Sequence, residues 1–421
     1  MGRVIVIGAG AAGMMAAGAA ATNGVDVLLL EKNIKPGRKL NITGKGRCNL
    51  TNNTDVDGLT AHVLSNPRFL MSAFHTMDSY GLMNFFESLG VPLKTERGGR
   101  VFPVSDNASD ITNALFSFIR ENGADVKLGC DVRGIKRCDE GFIVQTSAGD
   151  FGSAAVVVAT GGLSYPATGS TGDGYAFAKA FGHSVTKTCP SLVPLTTKEA
   201  WVSELEGLSL NNVRVSAKLS PERSIYEETG EMMFTKNGVT GPVILRAGAV
   251  LGHELQKNNC VLSIDLKPGL SEQQLDKRLL RDFAERKNKN FANALDDLLP
   301  KRLIGTIVSL SEIPGDKKVN LLSREERKEL VRLFKSLTLN LTGTAGFKEA
   351  VITKGGVCVR GVFPGTMMSR HMEGLFFAGE VLDVDAMTGG YNLQIAFSTG
   401  RLAGIGCAEY IKNKRKGPDN E

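Results

Sequence analysis

A chain of 421 residues holds two to three domains at roughly 150 residues each. Its 42% hydrophobic and 22% charged residues exclude a wholly disordered or fibrous protein. Forty-nine glycines without a three-residue period exclude collagen, and a net charge of +6 suits anionic ligands but is too mild to prove a nucleic-acid partner.

Aromatic residues make only 6% of the chain, which argues against base-stacking platforms. Seven cysteines stand apart with no Cys-x-x-Cys pair, so neither zinc spacing nor a disulfide framework is legible. A reducing cytoplasm is expected, and no metal site. Val4–Val25 carries no charge, yet its Ala and Gly make it too weakly apolar for a membrane span. No membrane association is expected.

In chain order, Val4–Ile7 is a β-branched run suited to a parallel strand buried on both faces. Gly8-Ala9-Gly10-Ala11-Ala12-Gly13 follows and matches G-x-G-x-x-G. Gly8 allows the tight turn, Gly10 the approach of a pyrophosphate, and Gly13 the packing of helix on sheet. Ala11–Ala21 is a helix whose N-terminus offers N–H groups to phosphate, and Asn23-Gly24 stops it. Val25–Leu30 is a second buried strand, closed by Glu31, whose carboxylate is placed to bond both ribose hydroxyls of an adenosine. That favours FAD or NAD over NADP. The motif alone is weak; its strand–turn–helix–strand–acid context carries the weight.

Residues 37–52 (GRKLNITGKGRCNLTN) are too rich in Gly, Arg, Lys, Asn and Thr for a buried strand or amphipathic helix. They read as a donor-rich loop in which Arg38, Lys39, Lys45 and Arg47 can meet phosphate or an anionic substrate. Gly98–Ser105 reads as a second compact loop, Ile111–Ile119 as a helix and Ala124–Val132 as a strand. Phe142–Thr146 and Asp150–Ala155 suggest a small antiparallel insertion. Ala154–Ala159 is another apolar strand, and Thr160-Gly161-Gly162 at its end lets a nucleotide approach. Gly169–Gly174 (GSTGDG) leads into a helix over Tyr175–Phe181.

From about Pro190 the pattern changes. Segments 191–219, 225–234 and 258–267 alternate like short strands of a barrel or sandwich, while Ser271–Leu299 and Ser323–Leu337 read as charged surface helices. Between 271 and 335 fifteen basic and eleven acidic residues leave a net +4, read as solvated helix faces with an anionic macromolecule as the alternative. Gly374–Glu380 is a buried strand ending in Gly and an acid. Asp383, a Gly389-Gly390 turn and a small-residue helix over Ile395–Ala403 follow. Such a turn converges backbone N–H groups on an anion or carbonyl. The polar tail Lys412–Glu421 is expected to fray. No second G-x-G-x-x-G is present, so any nicotinamide binds transiently.

The segments NITGKGRCNLTN, GGRVFPVS, FTKNGVTGPVIL, AVITKGGV and GLFFAGEVLDVDAMTGGYNLQIAFSTG resemble the BaiN/YhiN-type flavoproteins, a group of FAD-dependent oxidoreductases. The resemblance runs in order from residue 4 to about 405. It implies an α/β fold: a two-dinucleotide-binding Rossmann-like FAD domain built from both chain ends, 1–190 plus 347–421. An inserted β-barrel and helical substrate domain, 191–346, completes it. By motif the resemblance implies FAD contacts from Gly8, Gly10, Ala12, Gly13, Glu31, Lys32, Arg38, Thr43, Gly44, Arg47 and Asn49. Val132, Thr160, Gly161, Gly379, Glu380, Asp383, Gly390, Asn392 and Leu393 complete that set. Two departures bear on the substrate rather than on FAD: Lys236 where a His is common, and Arg360-Gly361 where an acidic pair is common.

Members of the family are associated with reduction of 3-oxo-Δ4,6 bile acids, with dihydrouridine formation in ribosomal RNA, and with aminoacetone oxidation. The first two share hydride addition from flavin to the β-carbon of a C=C conjugated to a carbonyl. Such a reductase needs a flat apolar slot, donors on the carbonyl oxygen and a proton source for the α-carbon. Tyr391, Lys236 and the Gly389 and Gly390 amides are candidate donors. Cys48, its thiol pKa lowered by Arg47, and Tyr165 are candidate proton sources. The resulting expectation is an NAD(P)H-dependent reductase of a small-molecule enone, a 3-oxo-Δ4 or Δ4,6 bile acid or steroid-like substrate. The alternatives are reduction of a uridine in ribosomal RNA with the basic insert on phosphate, amine oxidation, and a non-catalytic flavin redox sensor.

Overall fold

The computed structural model describes residues 2–220, 223–252, 254–256 and 258–416, and the fold is mixed α/β. The chain divides into two compact units, Met1–Pro190 with Phe347–Glu421, and Ser191–Gly346. Each has its own hydrophobic core.

The first unit is built on parallel strands β1 (Arg3–Ile7), β2 (Asp26–Glu31), β3 (Asp125–Leu128), β4 (Ala155–Val158) and β5 (Leu375–Phe377). Their order is β5-β4-β1-β2-β3, with Ile5 between Leu28 and Val156. Strands covered on both faces must be apolar throughout, and Val4, Ile5, Val6, Val156, Val157 and Val158 are fully buried. Burying each such side chain contributes about 1.5–3 kcal/mol.

Three helices lie close by virtue of small residues. Every residue of α1 (Ala11–Thr22) from Ala12 to Ala21 is buried. A Cβ at Gly18 would strike the ring of Phe118 on α2 (Ala108–Glu121). Added at Gly400 or Gly404 of α3 (Tyr391–Lys416), it would strike the Ala12 or Ala16 carbonyl of α1. The Ala/Gly run therefore serves helix contact. No helix among the described residues is long and apolar enough to cross a membrane.

Several local expectations give way to tertiary pairing. Gly98–Ser105 is not a loop: Arg100–Pro103 is the central strand of an antiparallel sheet with Thr51–Asn52 and Leu93–Glu96. Residues 38–42 form a short helix and 43–46 a 3-10 turn. The strand expected over Ala124–Val132 stops at Leu128, because Gly129 turns with φ +66°. Val132–Cys138 then joins Gly141–Thr146 and Gly149–Ser153 in a three-stranded antiparallel sheet. Helix α3 runs from Tyr391 through Lys416, so Lys412–Lys416 is helical where fraying was expected. The rest of that tail lies outside the described residues. The helices Val56–Ala61 and Ser79–Ser88, unread in the sequence, are capped by the carboxylates of Asp55 and Asp78.

The second unit is a closed antiparallel barrel rather than a sandwich. Its strands run in the order Leu195–Thr197, Gly238–Thr240, Arg223–Thr235, Ser209–Ser220, Cys260–Asp265 and Leu337–Thr344. Helices Glu272–Glu285 and Arg324–Lys335 each begin with a capping box, Ser271 with Gln274 and Ser323 with Glu326. They are not purely surface helices, since Leu275, Leu279, Leu330 and Phe334 are fully buried. The first ends well before Leu299, because the following polar stretch bonds to another segment: Val319 N–H donates to the Lys289 carbonyl and Phe291 N–H to that of Lys317.

Candidate active site

Gly8 ends β1 with φ +103° and donates its N–H to the Leu30 carbonyl at 2.8 Å. A Cβ there would sit 2.6 Å from the Ala159 carbonyl oxygen, and at Gly13 it would overlap the Gly8 carbonyl. At Gly10 it would meet nothing within 4 Å. Two glycines thus serve the chain's own packing, while Gly10 leaves open space at a helix N-terminus that has no side-chain cap. Uncapped N–H groups and the positive end of the helix dipole suit a phosphate.

Glu31, 8% exposed, accepts from Ala9 N at 2.7 Å and from Asn33 N and Nδ2 at 2.8 and 2.6 Å. Three of its roughly four acceptor sites are taken, which leaves room for one ribose hydroxyl rather than two. Arg38 supports Asn33 by donating to its Oδ1 at 2.7 Å. Lys32 is held by Thr171 and Asp173, each 2.6 Å from Nζ. Val132 lies buried just beyond this region, where Cys130 N–H donates to the Glu31 carbonyl.

The next turn is strained. Gly44, Lys45, Gly46 and Cys48 all adopt left-handed φ, between +58° and +85°. For the two non-glycine residues that costs about 1–3 kcal/mol each, and such strain clusters at ligand sites. Thr43 donates its hydroxyl to the Leu40 carbonyl at 2.7 Å. Asn49 Oδ1 and Thr160 Oγ1 are buried without a partner among the described residues. Gly161, φ +73°, follows directly.

Lys39 and Glu380 meet as a partly buried ion pair, their side chains 19% and 12% exposed. Lys39 Nζ donates to Glu380 Oε2 at 2.5 Å and to Ser164 Oγ at 2.6 Å. Glu380 Oε1 accepts from Ser164 Oγ at 2.6 Å and Thr353 N at 2.8 Å. Both oxygens of Glu380 are therefore engaged by the chain itself. No spacing in the sequence links Lys39 to Glu380.

At the other end, Gly379 (φ +76°) donates its N–H to Thr399 Oγ1 of α3 at 2.9 Å. Gly389 and Gly390, φ +128° and +101°, lead into α3, and a Cβ at Gly390 would overlap the Thr51 carbonyl. Asn52 Nδ2 donates to the carbonyls of Gly98 and Gly389 at 2.9 and 3.1 Å. Asn392 grips Ala386, accepting from its N–H at 2.9 Å and donating to its carbonyl at 2.8 Å. Asp383 N–H donates to the Val357 carbonyl, and Leu393 is half-buried in the first turn of α3. Tyr391 stacks on His62, ring centroids 4.3 Å apart and 6° from parallel. Sequence reasoning missed His62; nothing local marks it.

The proposed acid–base residues separate. Cys48 is fully buried, and burial pushes its thiol up to about 12. Arg47 does not lower it: the guanidinium bonds Glu96 and Asp106 and covers the Phe102 ring at 4.1 Å. Burial raises the Tyr165 phenol, with a smaller push from Glu349, and burial alone raises Tyr391. Both phenols stay protonated at neutral pH and can donate. Lys236 belongs to the barrel unit, in the turn between Thr235 and Gly238.

The site fits a dinucleotide. An unpartnered buried polar atom costs about 1–3 kcal/mol, and Asn49 Oδ1 and Thr160 Oγ1 are two such atoms in the first unit, which also holds the uncapped N-terminus of α1. Residues 2–406 match the family model described as HI0933-like protein Rossmann domain. The chain is 32% identical over 412 residues to a 3-dehydro-bile acid delta(4,6)-reductase of Clostridium scindens, covering 97% of this chain and 100% of that one. It is also 32% identical over 397 residues to a ribosomal RNA dihydrouridine synthase of Escherichia coli, covering 94% and 95%. In fold it resembles a 3-ketosteroid-delta4-(5alpha)-dehydrogenase from Rhodococcus jostii RHA1, with TM-score 0.52, 16% identity and 97% of each chain covered. The cofactor is FAD.

Proposed function

The chain belongs to the HI0933-like Rossmann-domain family and is a flavin-dependent oxidoreductase, and from that premise we propose that it reduces a C=C conjugated to a carbonyl. NADH or NADPH is the electron donor, and the substrate is a 3-oxo-Δ4 or Δ4,6 bile acid or a related steroid. The observation that carries this reading is the similarity to the bile acid reductase along that enzyme's entire length. Scattered cysteines, none joined in a disulfide among the described residues, support a cytoplasmic setting.

When bound, FAD supplies hydride chemistry. The residues of this chain bind and orient. The N-terminus of α1 receives the pyrophosphate, and Glu31 accepts from a ribose hydroxyl. The Gly389 and Gly390 amides and the Tyr391 phenol donate to the substrate carbonyl, where negative charge develops. Tyr165 delivers the proton to the α-carbon. In this reading the first unit holds FAD.

Reduction of a uridine in ribosomal RNA is the second reading, favoured by similarity to the Escherichia coli enzyme. The charged insert weighs against it. Arg327–Asp276, Lys317–Glu326, Lys335–Asp265, Arg332–Glu329 and Arg286–Asp297 are ion pairs, so those cations are tied up within the unit. The deciding experiment is anaerobic: reduce the flavin with NADH or NADPH, then add a 3-oxo-Δ4 bile acid or deproteinised ribosomal RNA. Reoxidation by the steroid alone is expected. Reoxidation by RNA alone overturns the substrate assignment, and reoxidation by air alone makes amine oxidation the better reading.

A further inference from the structure

We propose that the turn Arg97–Arg100 is a carboxylate subsite that positions the acidic end of the substrate. This rests on the enone-reductase reading and specifies its substrate as an acid. Arg97-Gly98-Gly99-Arg100 links the strands Leu93–Glu96 and Arg100–Pro103, and both glycines are left-handed, φ +79° and +71°. A single buried side chain ties it to the candidate active site: Asn52 Nδ2 bridges the Gly98 and Gly389 carbonyls. Asn53 N–H adds a bond to the Gly99 carbonyl at 2.6 Å. Gly99 is held so close to Asn52 that a Cβ would overlap its Oδ1. The turn is thus anchored to the Gly389–Gly390 backbone by one amide, and any shift in one is felt by the other.

The charges around it do not cancel. Arg47, Lys94 and Arg100 share two carboxylates, those of Glu96 and Asp106, in the ion pairs among the described residues. Arg47 takes both, and Lys94 binds Asp106 at 2.7 Å. Lys94 and Arg47 hold the Asp106 carboxyl below its usual range, and Arg47 does the same for Glu96, so both acids are already ionised and paired. Arg100 approaches Glu96 only to 3.7 Å and donates Nε–H to the Arg97 carbonyl at 3.2 Å. The Arg97 guanidinium, exposed, has no acceptor among the described residues. The excess positive charge therefore falls on Arg97 and Arg100, two planar forks on one rigid turn. A guanidinium binds a carboxylate through two parallel hydrogen bonds, which fixes orientation as well as affinity. A rigid polycyclic acid bears its carboxylate at the end remote from the reacting ring, so a cationic anchor set apart from the carbonyl donors fixes which bond is presented.

The test compares two substrates on the holoenzyme: a 3-oxo-Δ4 bile acid and the neutral 3-oxo-Δ4 steroid that lacks its carboxylate. In the Arg97→Gln/Arg100→Gln variant, KM for the acid should rise about tenfold with kcat within about twofold, while KM for the neutral steroid stays put. Wild-type KM for the acid, but not the neutral compound, should also rise between 50 and 200 mM salt, since about an 8–10 Å screening length weakens such contacts. Arg97→Lys, which keeps charge but loses the fork, should fall between. Equal loss on both steroids, or no change on either, overturns the subsite. If the wild type reduces neither, the reductase reading fails. The subsite is still decided by steroid binding to the oxidised protein, followed by perturbation of the flavin absorbance: tighter binding of the acid that the double variant abolishes supports it, and equal affinities overturn it. Loss of ribosomal RNA binding in the double variant with unchanged steroid affinity overturns it in favour of phosphate.

Discussion

The two glycine turns of the first unit are built differently. At Gly8–Gly13 the constraints come largely from one βαβ unit: Gly13 rests on the Gly8 carbonyl, and Glu31 ties back to Ala9. At Gly389–Gly390 they come from far along the chain: the Thr51 carbonyl, the Asn52 amide and the His62 ring under Tyr391. A turn fixed by neighbours in sequence advertises itself as a motif. One fixed by distant partners shows only as two glycines.

Breaking the second turn should have the largest effect. Gly390→Ala puts a Cβ into the Thr51 carbonyl at φ +101°, a clash and a strained backbone together. A cost of about 4 kcal/mol or more is expected, seen as a lower melting temperature and loss of bound FAD. Gly10→Ala, by contrast, meets none of the chain's own atoms. It should melt normally without cofactor and bind FAD more weakly. Equal behaviour of the two variants would erase the distinction.

The Lys39–Glu380 pair joins the two turns' ends of the chain, and Lys39→Met leaves a partly buried carboxylate without its cation. About 3–5 kcal/mol should be lost in urea unfolding. Adding Glu380→Gln removes the stranded charge and should restore a good part of it. A double variant no more stable than the single would show that the pair is not coupled.

Local devices in this chain were legible, and long-range ones were not. The G-x-G-x-x-G turn, Glu31 and the strands Arg3–Ile7 and Ala155–Val158 follow from periodicity and spacing. Glu380 was visible as an acid ending a strand, but its partners Lys39, Ser164 and Thr353 are scattered over the chain. The strand Arg100–Pro103 was misread as loop because its stability comes from pairing with Thr51–Asn52. His62 carried no signal, since its stacking partner lies at the far end of the sequence.

Next in size is Glu31→Ala. The variant strands the N–H groups of Ala9 and Asn33 and removes a charged acceptor for ribose, each hydrogen bond to such a charge contributing about 1.5–3 kcal/mol. FAD affinity should fall at least tenfold by dilution and filtration. Stoichiometric retention would remove Glu31 from the ribose site.

A smaller effect is set by pH. His183, buried beside His371, Phe377 and Ser369, has its pKa lowered to about 4, by burial first and then by His371. In the unfolded chain it takes up a proton near 6.5, so the unfolded state binds more protons between those values. Its contribution is therefore complete above about 6.5 and is lost as pH falls toward 4. The melting temperature should drop by several degrees between pH 7.5 and pH 5, and the drop should be smaller in His183→Gln. An identical slope in both proteins would assign the acid lability elsewhere.

The smallest effect is expected where the sequence suggested chemistry. A cysteine next to an arginine in a glycine-rich loop reads as an activated thiol, because a neighbouring cation stabilises the thiolate. In the folded chain Arg47 is claimed by Glu96 and Asp106, and the Cys48 thiol, fully buried, ionises only near 12. Desolvation dominates a charge whose field is already neutralised. Cys48→Ala should cost about 1 kcal/mol through lost packing and leave kcat and its pH profile unchanged. Iodoacetamide should label Cys48 only on unfolding, and rapid labelling of the native protein near pH 8 would reinstate the thiol as a proton source.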